Sequence, residues 1–171
     1  MLKTYHPEFL TATILNWKQL LADDEMKAII VSSLQWLSEN KRSAINAFVI
    51  MPNHVHLIWK IADGVQRKDA QGAFFSFTAH AFKKKLLQTP AILEQYRVDD
   101  ADREFQFWER NPLVKECFTE SFFMQKLEYI HNNPCQPKWI LADVPEDYRW
   151  SSASFYELQD MRFSWLTHYK E

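Results

Sequence analysis

Two histidines are the residues in this sequence whose type and spacing most clearly point to chemistry. His54 and His56 lie in segment 47–59, where two apolar stretches flank a Met-Pro-Asn break. The β-branched and aromatic residues of both stretches favour strand, tight turn and strand. Side chains alternate along a strand, so both imidazoles project from one face, with Cα atoms about 6.6 Å apart. That spacing allows them to bind one metal ion, although two histidines satisfied by water or core hydrogen bonds would show the same pattern.

A second segment, 125–134, is typical of the end of a helix. Tyr129 and Asn133 are four residues apart, so at ~1.5 Å rise per residue they lie about 6 Å apart on one helix face. A phenol and an amide therefore share one edge. The simpler interpretations are that Tyr129 is a rim residue of an amphipathic helix and that Asn133 belongs to a helix stop.

Taken together, these segments resemble the single-tyrosine HUH transposases of insertion sequences, in particular the REP-associated tyrosine transposases. The matching signatures are Met-Pro-Asn-His-Val-His-Leu-Ile at 51–58 and Tyr-Ile-His-Asn-Asn-Pro at 129–134, followed by a closing element at 145–153. The three occur in the same order as in that family and span most of the chain. The resemblance implies the HUH endonuclease fold, an α+β fold with a ferredoxin-like antiparallel sheet, helices on one face and a further helix carrying the tyrosine.

The resemblance also implies an activity, the metal-dependent cleavage and rejoining of single-stranded DNA next to hairpins. Tyr129 would be the nucleophile and would form a covalent 5′-phosphotyrosine intermediate. His54 and His56 would hold the metal ion, with Asn133 as the third ligand one helical turn after the tyrosine. Nitrogen and oxygen ligands without a thiolate suit Mg²⁺ or Mn²⁺, and a divalent ion at this place would stabilise charge on the scissile phosphate.

The rest of the chain contains the elements that would position these residues. Apolar periodicity predicts helices at 23–37 and 74–87, and Thr119 begins the tyrosine helix, which Pro134 helps to stop. Segment 90–103 is polar and predicts a mobile loop. Strands are expected at 8–15, 43–50, 54–61 and 104–109. This order of strands and helices is typical of a ferredoxin-like α+β domain.

Length and composition exclude several classes of protein. At 171 residues and 47% hydrophobic, the chain is expected to form a single domain over 1–171. Two glycines are too few for a glycine-rich phosphate-binding loop. The two cysteines, Cys117 and Cys135, predict neither a disulfide framework nor a four-thiolate zinc site. With no long apolar run and no signal peptide pattern, we expect a cytoplasmic protein that does not contact membranes.

The overall charge counts against a general nucleic-acid-binding protein. The net charge is −2 and the isoelectric point is near 6.3, whereas non-specific affinity for DNA comes mostly from lysine and arginine. Local clusters can still contact phosphates, although each of them could equally be a solvated surface. The candidate DNA-binding residues are Arg67, Lys68, Lys83, Lys84 and Lys85.

Two other functions are compatible with the same residues. One is a domesticated protein that binds REP-type DNA hairpins with little or no cleavage. The other is a hydrolase of small phosphoesters, which would use His54 and His56 but would leave Tyr129 without a role. Because many relatives build each active site from two chains, the resemblance also makes a homodimer an expectation.

Overall fold

A computed structural model describes residues 4–171 as an antiparallel four-stranded sheet with helices on both faces. The strands are β1 (Glu8–Thr13), β2 (Ser43–Ile50), β3 (His54–Ile61) and β4 (Leu113–Glu116). The helices are α1 (Asp24–Glu39), α2 (Arg67–Leu86), α3 (Pro90–Glu94), α4 (Glu120–Asn132) and α5 (Ala153–Leu158). Apart from the short helix α3 between α2 and β4, the chain order is β1-α1-β2-β3-α2-β4. With the sheet order β2-β3-β1-β4, it confirms the ferredoxin-like α+β fold.

The central hairpin has the predicted bounds, 43–50 and 54–61. β2 and β3 pair antiparallel, with Val49 opposite His56 and a register shift between Ile45 and Ala47. The backbone N–H of Met51 donates to the carbonyl of His54 at 2.8 Å and closes the turn. The hairpin therefore places both histidines at the beginning of β3, in the middle of the sheet.

The two faces of the sheet are covered by different helices. Alternate strand residues such as Leu10, Leu57 and Trp59 pack under α1 and α2, and we call this side the α1/α2 face. The intervening residues, among them Phe9 and Ile58, pack under α4, and we call this side the α4 face. The structure thus confirms two helices on one face and a further helix that carries the tyrosine.

Local sequence explains where the helices begin and end. The Asp23 side chain accepts a hydrogen bond from the Glu25 N–H and caps α1, as the acidic cluster predicts. Thr119 caps α4 in the same way, through the Phe122 N–H at 3.1 Å. Helix α2 begins seven residues before its predicted start, because its first two turns are mostly polar and bury only Ala70, which leaves no apolar period to detect.

The strand predicted at 104–109 is wrong. This segment forms only isolated bridges, and its side chains Phe107 and Trp108 pack against Phe82 of α2 instead of alternating across a sheet. The fourth strand is β4, which was not predicted and which pairs with β1. The uninterrupted loop expected at 90–103 is also wrong, since it contains α3, with Pro90 in the first turn and Leu93 buried.

The closing element at 145–153 protects the free edge of β2. The hydroxyl of Tyr148 donates to the Ile50 carbonyl at 2.7 Å, and the Ser152 N–H donates to the Phe48 carbonyl at 2.9 Å. Edge strands are usually blocked in some such way, because their free backbone groups can pair with other chains. Among the helices within residues 4–171, none is long and apolar enough to cross a membrane.

Candidate active site

The two histidines lie side by side on the α4 face. They are the first and third residues of β3, so their side chains point to the same side, and their ring centroids are 4.6 Å apart. Both are buried, with 6% of His54 and 4% of His56 exposed. The predicted pairing of these residues is therefore present in the structure.

A neighbouring polar group orients each imidazole. Nδ1 of His56 is hydrogen-bonded to the Thr11 hydroxyl on β1 at 2.8 Å, and Nδ1 of His54 lies 2.7 Å from the Asn53 side-chain oxygen. Since an amide oxygen only accepts, Nδ1 of His54 carries the proton and its Nε2 keeps a lone pair. Nε2 of His56 is buried and has no hydrogen-bond partner among the described residues.

Both imidazoles are neutral at physiological pH, which is the form that binds metals. The pKa of His54 is lowered to about 4, mainly by burial and to a smaller extent by the positive charge of Lys138. A contact with the Asn133 side chain acts in the opposite direction. The pKa of His56 is lowered to about 3, mainly by burial and to a smaller extent by the charges of His54, Lys126 and Lys138. Protons therefore do not compete for the ring nitrogens near pH 7.

Helix α4 brings the tyrosine and the asparagine to the histidines. Phe123, Leu127 and Ile130 face the sheet at helical spacing, which fixes the rotation of the helix. Tyr129 is therefore at the edge, 43% exposed, with its ring edge-on to His56 at 5.2 Å between centroids. Tyr129 thus lies beside a histidine of its own chain.

Asn133 follows the last residue of α4 and continues the helical backbone, so it stays one turn beyond the tyrosine. Its side chain is close enough to His54 to affect the pKa of that imidazole. The Asn133 Oδ1 is buried and lacks a hydrogen-bond partner within the described chain. Buried polar atoms are normally paired, so an unpaired ring nitrogen and an unpaired amide oxygen beside the same histidine pair are typical of a binding site.

The donor atoms fit a divalent cation held by two imidazoles and an amide. Within residues 4–171, no three His, Cys, Asp or Glu side chains come together as a metal site. The third protein ligand would therefore be the neutral oxygen of Asn133. Such a set leaves room for water and phosphate oxygens, which Mg²⁺ and Mn²⁺ prefer.

Comparison with known proteins bears on the fold. No family model and no curated protein matches the sequence. The chain is similar to the structure of a REP-associated tyrosine transposase bound to a REP hairpin, with a TM-score of 0.63 and 17% identity over 90% of this chain and 79% of that one. The chain has the fold of that transposase. A provisionally assigned transposase from Deinococcus radiodurans R1 is 19% identical, covers 76% of this chain and 92% of its own, and has a TM-score of 0.46.

In this transposase fold, the predicted basic residues lie away from the histidines. All five are on α2, on the α1/α2 face: Arg67, Lys68, Lys83, Lys84 and Lys85. Arg67 donates to the carboxylates of Glu8 and Glu116 at 2.8 and 2.7 Å, and Lys85 is paired with Glu25. At ~1.5 Å per residue, the two ends of the helix are about 25 Å apart, so these residues do not form one strip. Their contact with DNA stays a prediction.

Three residues at the site did not stand out in the sequence. Thr11 reaches His56 only because β1 pairs with β3, and that register is a tertiary property. Trp139, in an irregular segment, lies with its ring 6.0 Å from His54, and its buried Nε1 has no partner in the part of the chain that the structure describes. Lys126, one turn before Tyr129, could have been found from the three-residue helical spacing.

Proposed function

We propose that this protein is a metal-dependent transposase that cleaves and rejoins single-stranded DNA through Tyr129. One observation carries the proposal: an exposed tyrosine lies beside two buried, neutral histidines of its own chain, and buried atoms of His56 and Asn133 have no protein partner in the described chain. A nucleophile next to a prospective metal site is the arrangement that phosphodiester cleavage requires.

His54, His56 and Asn133 would hold Mg²⁺ or Mn²⁺. The ion, when bound, would supply a Lewis acid that stabilises negative charge on the phosphate oxygens. The hydroxyl of Thr11 and the side chain of Asn53 would keep the two imidazoles in orientation for binding, a role that partners of metal-bound histidines usually have.

The reaction would be a transesterification. The phenol oxygen of Tyr129 attacks phosphorus, a tyrosine–phosphorus bond forms, and the bond between phosphorus and the 3′-oxygen breaks. The phenol loses its proton and the departing oxygen becomes a 3′-hydroxyl. The phosphodiester bond is exchanged for a phosphotyrosine bond without hydrolysis, so its energy is conserved. A second 3′-hydroxyl can attack the 5′-phosphotyrosine and rejoin the strands. Because 43% of Tyr129 is exposed, a DNA strand at the surface can reach this side chain.

DNA hairpins are the proposed target. The transposase whose fold the chain shares was solved with a REP hairpin. The acidic overall charge argues for recognition through a defined DNA structure, since binding through charge alone would be weak. A single chain brings the tyrosine and histidines together, and the expected homodimer stays a prediction.

A small phosphoester is a poorer fit as the substrate. Small-molecule sites are usually concave pockets. Two surface clefts of about 890 and 700 Å³ lie elsewhere, one beside α2 and segment 102–112 and the other at the beginning of α4. Neither of them is lined by His54, His56 or Tyr129. An extended polymer that passes over an exposed tyrosine suits this surface better.

A covalent-adduct assay tests the proposal. Labelled single-stranded hairpin oligonucleotides are incubated with the protein and Mg²⁺ or Mn²⁺ and resolved on denaturing gels. We expect an adduct with the wild type and with the matched control Tyr169→Phe, and none with Tyr129→Phe, with His54→Ala/His56→Ala, or with chelator. An adduct with Tyr129→Phe would refute the assignment, whereas tight hairpin binding without any adduct would favour the domesticated binding protein.

A further inference from the structure

The ammonium group of Lys126 is surrounded by aromatic rings next to the candidate nucleophile. Lys126 and Tyr129 are three residues apart on α4, so their side chains share a helix face. The Lys126 Nζ lies 4.9 Å from the Phe9 ring centroid, 5.3 Å from that of Phe122 and 5.6 Å from that of Tyr129. The cation is therefore fixed by ring faces on several sides.

Unlike Lys27 and Arg67, Lys126 has no acidic partner among the described residues. Lys27 pairs with Asp24 at 3.0 Å, and Arg67 pairs with Glu8 and Glu116. Within residues 4–171, the ammonium group of Lys126 makes neither an ion pair nor a hydrogen bond. Ring faces attract an ammonium group but do not accept its three N–H groups in the way that oxygen does. The donors are thus available to an external anion.

The position of this cation links it to the histidines. The Phe9 ring, which is buried, stacks on His56 at 5.3 Å between centroids and lies 6.1 Å from the Tyr129 ring. Lys126, His56 and Tyr129 therefore surround one aromatic side chain. The positive charge of Lys126 also helps to lower the pKa of His56, which agrees with this proximity.

We propose that Lys126 is a phosphate-binding residue, whose ammonium contacts a non-bridging oxygen of the scissile phosphodiester while Tyr129 attacks phosphorus. The inference rests on the proposed function and adds a second positive group one helical turn before the tyrosine, whereas Asn133 is one turn after it. A lysine serves as a point charge for a phosphate, and the aromatic surroundings orient it without neutralising it. The same contact would hold the phosphate of the 5′-phosphotyrosine.

The test compares Lys126→Gln with Lys126→Arg and with the control Lys41→Gln, which removes an exposed lysine at the opposite end of β2 from the histidines. Binding of a labelled hairpin and of oligothymidylate is measured over a salt series. We expect Lys126→Gln to reduce the slope of log affinity against log salt by roughly 0.7 to 1, the contribution of one phosphate contact. Lys126→Arg and Lys41→Gln should keep a slope close to that of the wild type.

Single-turnover adduct formation at saturating DNA gives the second measurement. We expect Lys126→Gln to slow this step roughly 100-fold, as the loss of one transition-state donor does, and Lys126→Arg to restore part of the rate. If the slope changes but the rate does not, Lys126 contacts a different phosphate and the proposal is wrong. A slope and rate equal to those of Lys41→Gln would also overturn it, as would a wild type that binds neither probe.

These measurements separate this inference from the proposed function. If the wild type binds DNA but forms no adduct, the transposase chemistry fails, and with it the assignment to a scissile phosphate. In that case, the salt slope alone shows whether Lys126 binds phosphate. Melting temperatures of all variants, measured by circular dichroism, show whether a lost contact reflects a lost fold.

Discussion

The two faces of the sheet differ in how fully their buried polar groups are paired. On the α1/α2 face, the carboxylate of Glu8 is fully buried, yet it accepts hydrogen bonds from Nε1 of Trp59 at 2.9 Å and from Nε of Arg67 at 2.8 Å. The hydroxyl of Thr78 likewise accepts from Nε1 of Trp108 at 3.0 Å. These groups lose their water on folding but gain protein partners, so this face contributes to stability.

On the α4 face, buried polar atoms are left without partners. Among the described residues, five such side-chain atoms occur, and three of them lie at the candidate site, on His56, Asn133 and Trp139. The other two lie away from the site: Ser43 is opposite Ile61, on the α1/α2 face at the beginning of β2, and Asn46 is in the irregular part of that strand. An unpaired buried polar group costs about 1 to 3 kcal/mol, so this arrangement sacrifices stability where a ligand could restore it. One face supports the fold, and the other is suited to binding.

The largest expected effect is on the α1/α2 face. Glu8→Ala leaves Trp59 without its acceptor and Arg67 without its buried carboxylate, and we expect a loss of roughly 3 to 5 kcal/mol in the free energy of unfolding. Urea unfolding followed by circular dichroism measures it. The control Glu116→Gln alters the more exposed contact of Arg67 and should cost about 1 kcal/mol or less. Equal losses in both variants would mean that the buried contacts of Glu8 stabilise the protein no more than the exposed contact of Glu116.

Metal ions should stabilise the α4 face. At a free Mn²⁺ concentration about 100 times the dissociation constant, binding to the folded state alone adds about 2.7 kcal/mol. For a chain of this size that corresponds to a rise of roughly 5 to 10 °C in melting temperature. Thermal unfolding with Mn²⁺ and then with excess chelator measures the rise and its reversal. A similar rise in His54→Ala/His56→Ala would place the metal elsewhere.

The sequence predicted the residues near the chemistry better than it predicted the distant parts of the sheet. The hairpin of β2 and β3 has strong local signals, namely β-branched runs and a Pro-Asn turn, so both its bounds and the shared direction of His54 and His56 were predictable. Tyr129 and Asn133 share a regular helix that has a clear cap, so their spacing could be predicted as well. In both cases, the geometry is set within a few residues.

What escaped prediction depends on tertiary packing. Segment 104–109 alternates like a strand, but its aromatic rings fill the helix layer, while β4 has half-exposed residues that carry little pattern. Arg67 looked like a DNA contact because its charge is visible in the sequence and its carboxylate partners, 59 and 49 residues away, are not. Charge alone could not separate a cation that stabilises the fold from one, such as Lys126, that is left unpaired.

Acid should destabilise the metal-free protein mainly through the α4 face, where the buried histidines lie. Burial lowers the pKa of His131 to about 4, so between pH 6.5 and 4 the unfolded chain binds a proton that the folded chain does not. This stabilising contribution is complete above pH 6.5 and is lost as the pH falls, by roughly 2 kcal/mol between pH 7 and pH 5. Chemical unfolding of His131→Gln at both values should show a correspondingly smaller loss than the wild type. An equal loss in both proteins would show that His131 is not responsible.

The smallest expected change in stability concerns the residue that orients His56. Thr11→Val keeps a β-branched side chain on β1 but removes the hydroxyl that is hydrogen-bonded to Nδ1 of His56. We expect unfolding to change by only about 1 kcal/mol, the usual net contribution of one hydrogen bond. Affinity for Mn²⁺, measured by titration calorimetry, should nevertheless fall roughly 10- to 100-fold, because the imidazole loses its fixed orientation. The control Thr13→Val changes the neighbouring threonine on the same face, whose hydroxyl makes no described hydrogen bond, and should leave the affinity unchanged. If both variants bound Mn²⁺ like the wild type, the contact between Thr11 and His56 would belong to the packing of the sheet and the contrast between the two faces would be weaker.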